Sequence, residues 1–137
     1  MKTVVADASA IVEYLLRSPP GEAIANVLED PDTDVHLPAL ADIEVASALR
    51  RALLGRRMTV ARAAEAVEDY LDLPLVRHSH ERLLVPILRR RANFTAYDAA
   101  YVTLAEEMSA DLLSADRHLL RAAARHTRVE SALRAVK

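Results

Sequence analysis

Short apolar runs alternate along the chain with longer stretches in which apolar residues recur every three or four positions. The runs predict strands and the stretches predict helices. Thr3-Val4-Val5-Ala6 belongs to a first strand over 2–6, and a helix follows over 9–17 with Glu13 and Arg17 as an i, i+4 pair. Pro19-Pro20-Gly21 stops that helix and opens a second one to about Leu28. Val35–Leu37 is a second strand, Pro38 opens a long helix that closes at Gly55 as a C′ glycine, and Thr59 caps a helix to about Leu71. Leu73–Arg77 is a third strand, displaced towards an edge by Pro74. Helices are predicted over about 79–91 and 96–108, then a buried strand at Ala110–Ser114, a helix over 117–125 and a last edge strand at Arg128–Glu130. Apolar strands alternating with helices imply right-handed crossovers, so the predicted fold is an α/β three-layer α/β/α sandwich on a short parallel sheet of four to five strands.

Composition narrows this picture. At 137 residues the chain is expected to be a single domain, 1–137, with its own core. It is 52% apolar, has no cysteine, and contains no apolar run near the ~20 residues of a membrane span, so it reads as soluble with no membrane partner. Met1-Lys2 leads straight into a strand with no signal-peptide core, and the absence of cysteine fits a reducing compartment; the expected location is cytoplasmic. The net charge of -2 lacks the overall footprint of a nucleic-acid binder. Distribution matters more, since sixteen of the eighteen basic residues are arginine, clustered at Arg50-Arg51, Arg56-Arg57 and Arg89-Arg90-Arg91. These clusters are either solvated helix faces or forked grips for phosphate. Glu29-Asp30-Pro31-Asp32-Thr33-Asp34 reads as a loop.

Four acids fall at the carboxyl ends of predicted strands or just beyond: Asp7, Glu44, Asp98 and Asp116. That end of an open parallel sheet is where ligand sites form. Asp7 and Asp116 can each be read as the N-cap of the following helix, and Thr95-Ala96-Tyr97-Asp98 as an acidic variant of a capping box. Glu44 has no such alternative. Its turn-neighbours are Leu40, Ala41, Ser47 and Ala48, and Arg51 is two turns away, so an unpaired carboxylate there is costly unless it joins the three aspartates. Converging carboxylates suit a hard cation, Mg²⁺ or Mn²⁺, which lowers the pKa of a bound water and stabilises a leaving oxygen in phosphodiester hydrolysis; two ions about 4 Å apart would do both. Without a cation these groups repel, and some take raised pKa values.

Other α/β chemistries fit poorly. Aspartyl-phosphate enzymes need a lysine near the phosphate, and the only lysines are Lys2 and Lys137. Two glycines make neither a P-loop nor a dinucleotide fingerprint, and there is no thiol and no Gly-x-Ser-x-Gly elbow. His78-Ser79-His80 reads as surface, as does His118 two residues past Asp116.

At these residues the sequence resembles the PIN-domain ribonucleases, and among them the VapC-type toxins of bacterial toxin–antitoxin pairs. The resemblance rests on Val4-Val5-Ala6-Asp7-Ala8-Ser9-Ala10, Leu37-Pro38 followed by Glu44-Val45 and Ala48-Leu49-Arg50-Arg51, Thr95-Ala96-Tyr97-Asp98-Ala99-Ala100-Tyr101, and Leu112-Leu113-Ser114-Ala115-Asp116-Arg117, in that order. It implies that Asp7, Glu44, Asp98 and Asp116 bind Mg²⁺ or Mn²⁺, with Asp7 and Asp98 the most direct ligands, and that Ser9, Thr95 and Ser114 support the carboxylates or the attacking water. Ser47 departs from the pattern, since many relatives carry asparagine there. The resemblance further implies endonucleolytic cleavage of an RNA substrate such as transfer or ribosomal RNA, a homodimer, and a VapB-type antitoxin partner seated in an apolar groove lined by Ile11, Tyr14, Leu15, Ile24 and Val27, residues that otherwise serve as ordinary core. A PIN-like binding module without catalysis, and cleavage of DNA, are the alternatives.

Overall fold

The computed structural model describes residues 1–133, so Lys137 lies outside the described residues. Strand β1 (Lys2–Ala6) is central, with β2 (Thr33–Pro38) on one side and β4 (Asp111–Leu113) on the other; β3 (Leu75–His78) flanks β2, giving the order β3-β2-β1-β4. All pairings are parallel, with Val5 opposite both His36 and Leu112, and Leu37 opposite Arg77. Val4, Val5 and Ala6 are fully buried because β1 is covered on both faces, which explains an apolar run without alternation. The helices are α1 (Ala8–Leu15), α2 (Gly21–Leu28), α3 (Leu40–Leu54), α4 (Val60–Asp72), α5 (Leu84–Arg89), α6 (Ala96–Glu107) and α7 (Arg117–His126). They flank the sheet as an α/β/α sandwich. Every residue of α6 from Ala99 to Ala105 is buried, and the helix packs on β1, β2 and β4. A helix apolar all round sits at the middle of a core.

Four expectations need correction. Pro38 ends β2 and does not open a helix; α3 starts two residues later. The proline is tolerated in an interior strand because the pairing of β1 with β2 ends at His36, so no β1 carbonyl waits for its missing N–H. The helix expected over 79–91 is a 3₁₀ turn at Glu81–Leu83 followed by the short α5. Pro86 sits in the first turn of α5, where its ring is accommodated, but a continuous α-helix through Arg82 would set that ring against the Arg82 carbonyl. The last strand expected at Arg128–Glu130 reduces to one parallel bridge, Leu112 to Ser131, with the Leu112 N–H donating to the Glu130 carbonyl. Finally, Gly55 ends α3 with an ordinary φ of -81°, and the left-handed residue is its neighbour Arg56, at φ 54°.

Gly21 is required for a different reason. A Cβ there would lie 2.7 Å from the backbone oxygen of Glu13, where α2 starts against the end of α1. Gly21→Ala is expected to cost about 1–3 kcal/mol, as overpacking does, read as a lower urea midpoint at unchanged slope.

Candidate functional site

Because all four strands are parallel, the helices that follow β1 and β4 begin at the same edge of the sheet, and α6, which feeds β4, begins there too. The N-termini of α1, α6 and α7 therefore share one crevice, and their positive dipole ends and free N–H groups favour anions in it.

Asp7 takes the N-cap position of α1 with an extended backbone, but its side chain does not cap. It turns instead to two serines. Ser9 Oγ donates to Asp7 Oδ2 at 2.6 Å, and Ser114 Oγ donates to the same oxygen at 2.8 Å. Each hydroxyl in turn accepts a backbone N–H, Ser9 from Ala115 at 3.0 Å and Ser114 from Asp116 at 3.0 Å. With those N–H groups filling the acceptor side, each serine has one hydrogen to give, and it goes to the carboxylate. The network orients Asp7 as a charged acceptor although the residue is only 7% exposed. Burial pushes its pKa up, the two serines pull it down, and the Asp116 carboxylate pushes it up again.

Glu44 lies in the second turn of α3, half-buried, and accepts a 2.5 Å hydrogen bond from the hydroxyl of Tyr101 on α6. Burial raises its pKa, the Tyr101 bond offsets part of this, and Asp7 and Asp98 raise it further. The Tyr101 ring is fully buried and its hydroxyl is pushed well above its ordinary range, so it remains a donor. Asp98 stands in the first turn of α6, which Thr95 caps by accepting the Asp98 N–H at 3.1 Å. Only this half of the capping box forms. The Asp98 carboxyl is raised by burial, by Asp7 and by Asp116, and lowered by His118. Asp116 does cap α7, through Leu119 N–H to Oδ1 at 3.1 Å. While capping, it also stands near enough to Asp7 and Asp98 to raise their pKa values.

The structure thus brings Asp7, Glu44, Asp98 and Asp116 into one electrostatically coupled group, with Ser9, Thr95 and Ser114 behind it. Among the described residues, none of the four carboxylates has a salt-bridge partner. One buried and three half-buried carboxylates without a counter-ion fit a divalent cation. Among the described residues no three acidic or imidazole groups stand within reach of a single ion, so an ion here would be held by one or two carboxylates and by water.

Sequence reasoning missed two supports. Tyr101 is one turn past Asp98, so it shares Asp98's side of α6, but its partner is 57 residues away. His80 is not simply surface: its Nε2 accepts the Leu40 N–H at 3.0 Å and so holds the start of the helix that carries Glu44. His78 is likewise engaged, 2.8 Å from His36 and 3.0 Å from Arg82. The residues expected either to line an apolar groove or to serve as ordinary core divide between the two. Ile11 and Ile24 are fully buried core, whereas Tyr14 and Leu15 line a cleft of about 810 Å³ whose walls include Glu22, Glu29, Asp69 and Asp72.

Ser114→Ala removes one of two donors to Asp7 and pushes that carboxyl's pKa higher. A hydrogen bond to a charged group contributes about 1.5–3 kcal/mol, so metal affinity at neutral pH is expected to fall roughly tenfold or more and to recover partly at higher pH. Calorimetric Mn²⁺ titration at two pH values measures this; an unchanged affinity would show that the serine only fills space.

Known proteins resemble this chain in sequence and in fold. The family model of the PIN domain matches residues 4–125. The chain is 32% identical to Ribonuclease VapC12 of Mycobacterium tuberculosis over 127 residues, covering 93% of this chain and 97% of that one. It is 40% identical to Ribonuclease VapC3 of the same organism over 119 residues, covering 87% and 86%. Its fold matches that of PAE2754 from Pyrobaculum aerophilum with a TM-score of 0.68 at 21% identity, covering 95% of this chain and 83% of the other. The chain belongs to the PIN-domain family.

Proposed function

We propose that the protein is a Mg²⁺- or Mn²⁺-dependent endoribonuclease, the toxin of a toxin–antitoxin pair, with Asp7, Glu44, Asp98 and Asp116 as its metal-binding and catalytic acids. One observation carries the reading: Asp7 is buried and oriented by Ser9 and Ser114 as a charged acceptor, lies near three further carboxylates, and has no salt-bridge partner among the described residues. Four acids near one another with no salt-bridge partner among the described residues favour a bound cation, and the ribonuclease names of the VapC relatives favour RNA as the polymer.

A bound Mg²⁺ or Mn²⁺ would supply Lewis acidity towards a phosphate oxygen and a water acidic enough to attack at neutral pH. Asp7 and Asp98 are the direct ligands in this reading. Glu44, fixed by Tyr101, and Asp116, fixed by its capping bond, hold the remaining negative charge at set positions and can accept a proton from water. The N-terminal N–H groups of α1, α6 and α7 favour the scissile phosphate in the same crevice. Ser9, Thr95 and Ser114 act as positioning residues. A structured RNA such as transfer or ribosomal RNA is the proposed substrate, a VapB-type antitoxin the proposed inhibitor, and a homodimer the proposed assembly. No helix among the described residues is long and apolar enough to cross a membrane.

Purified protein incubated with total cellular RNA is expected to yield discrete fragments with Mn²⁺ and none with EDTA. Smearing that persists in EDTA would contradict the reading.

A further inference from the structure

One arginine from each of the pairs at 50–51 and 56–57 acquires a place in the fold. Arg51, Arg57 and Arg62 converge on one concavity of about 450 Å³ between α1, α3 and the start of α4, floored by Val12, Leu16 and Met58. Arg62 is fixed there: its Nη2 donates to the Leu15 carbonyl, and it is the only one of the three with a carboxylate partner among the described residues, Glu65 at 3.7 Å. Arg51 and Arg57 are exposed and have no ion-pair partner among the described residues. Arg51 also points the right way. Glu44, Ala48 and Arg51 fall on one face of α3 at i, i+4 and i+7, so Arg51 lies about 10 Å along the axis from Glu44. Its Nη1 donates to Ser47 Oγ at 3.1 Å, which folds the guanidinium back towards the acidic crevice.

From this geometry we infer that Arg51 and Arg57, on a base fixed by Arg62, form a phosphate subsite that grips the RNA backbone away from the scissile bond. The inference rests on the ribonuclease reading and adds to it where the strand lies. A chain of net charge -2 whose catalytic crevice is lined with carboxylates repels RNA unless cations stand nearby. Forked guanidiniums bind phosphate oxygens in pairs, and the floor of Val12, Leu16 and Met58 gives a ribose or base an apolar contact. The line of Glu44, Ser47 and Arg51 joins this subsite to the cleavage site along one helix face, which favours a continuous strand of RNA over an acidic peptide as the occupant.

The test measures anisotropy of a fluorescein-labelled oligouridylate against salt in EDTA, where binding is read without cleavage. The full chain is compared with R51Q/R57Q and with R121Q/R125Q, which removes the same charge from the exposed face of α7. Each lost contact to a single strand flattens the slope of log affinity against log salt by roughly 0.7, so R51Q/R57Q is expected to flatten it by about 1.4 and to lose about tenfold in affinity at ~0.05 M salt, while R121Q/R125Q keeps the full-chain slope. Equal slopes in all three proteins, or no binding by the full chain at low salt, would overturn the subsite. So would a polyglutamate peptide that binds the full chain but not R51Q/R57Q while oligonucleotide binding is unaffected, since the surface would then belong to an acidic protein. Because no cleavage is involved, intact binding without nuclease activity would tell against the ribonuclease reading alone.

Discussion

Asp7→Asn is expected to abolish RNA cleavage and, without metal, to melt at a higher temperature than the wild type. The two effects have one cause. Asp7 is a charge held in a nearly water-free position by Ser9 and Ser114, close to Asp116 and near enough to Glu44 and Asp98 to raise their pKa values. Asparagine keeps an oxygen for both serines and turns an amide towards the remaining carboxylates, so the hydrogen bonds survive while the buried charge and its repulsion disappear. Activity falls because the most buried acid of the proposed metal site is gone; residues that act as a unit in catalysis lose at least about 10³-fold when one is removed. Calorimetry in EDTA beside a cleavage assay reads both effects. A variant that melts lower would mean that Asp7 is a structural anchor, and one that still cleaves would remove it from the site.

Mn²⁺ is expected to stabilise the wild type increasingly as pH rises. Asp7, Glu44 and Asp98 all have folded-state pKa values above their ordinary ones, chiefly through burial and mutual repulsion. From the ordinary carboxylate range upwards, the metal-free folded protein therefore binds more protons than the unfolded chain. Its stability falls as pH rises through that window, and the penalty persists at neutral pH. Asp30 and Glu81 are shifted the opposite way by local hydrogen bonds, but both are fully exposed and oppose this only weakly. Metal binding requires the deprotonated acids and offsets their repulsion, so added Mn²⁺ does nothing below the window. Above it, stabilisation is expected to reach about 2.7 kcal/mol at a hundred times Kd. Melting temperature measured against pH with and without Mn²⁺ checks the sign. A stabilisation independent of pH would place the ion elsewhere.

The sheet was legible because its strands are short and fully covered, so Val4-Val5-Ala6 and Leu112-Leu113 stand out as apolar runs. Glu44 was legible for the opposite reason, as an acid among small and apolar turn-neighbours. What could not be read was set by register. Pro38 looks like a helix opener until the pairing of β1 and β2 is known to end before it, and Arg56 takes the left-handed turn that Gly55 seemed placed to make. The bond from Tyr101 to Glu44 and the cap that His80 places on α3 join residues 57 and 40 apart in sequence, which no local spacing indicates. Ser9 and Ser114 were identifiable only through the family resemblance. That both donate to one oxygen of Asp7 followed only from the pairing of β1 with β4.

In the proposed mechanism, RNA cleavage depends on an ion held at this cluster of four carboxylates. The most direct test of that dependence is the rate of cleavage of total RNA as a function of free Mn²⁺ for wild type and Asp98→Asn, whose side chain contributes no hydrogen bond to the fold among the described residues. A saturable rise from zero is expected for the wild type and a flat baseline for the variant. Wild-type cleavage that persists in EDTA, or an Asp98→Asn curve that overlays the wild type, would contradict it.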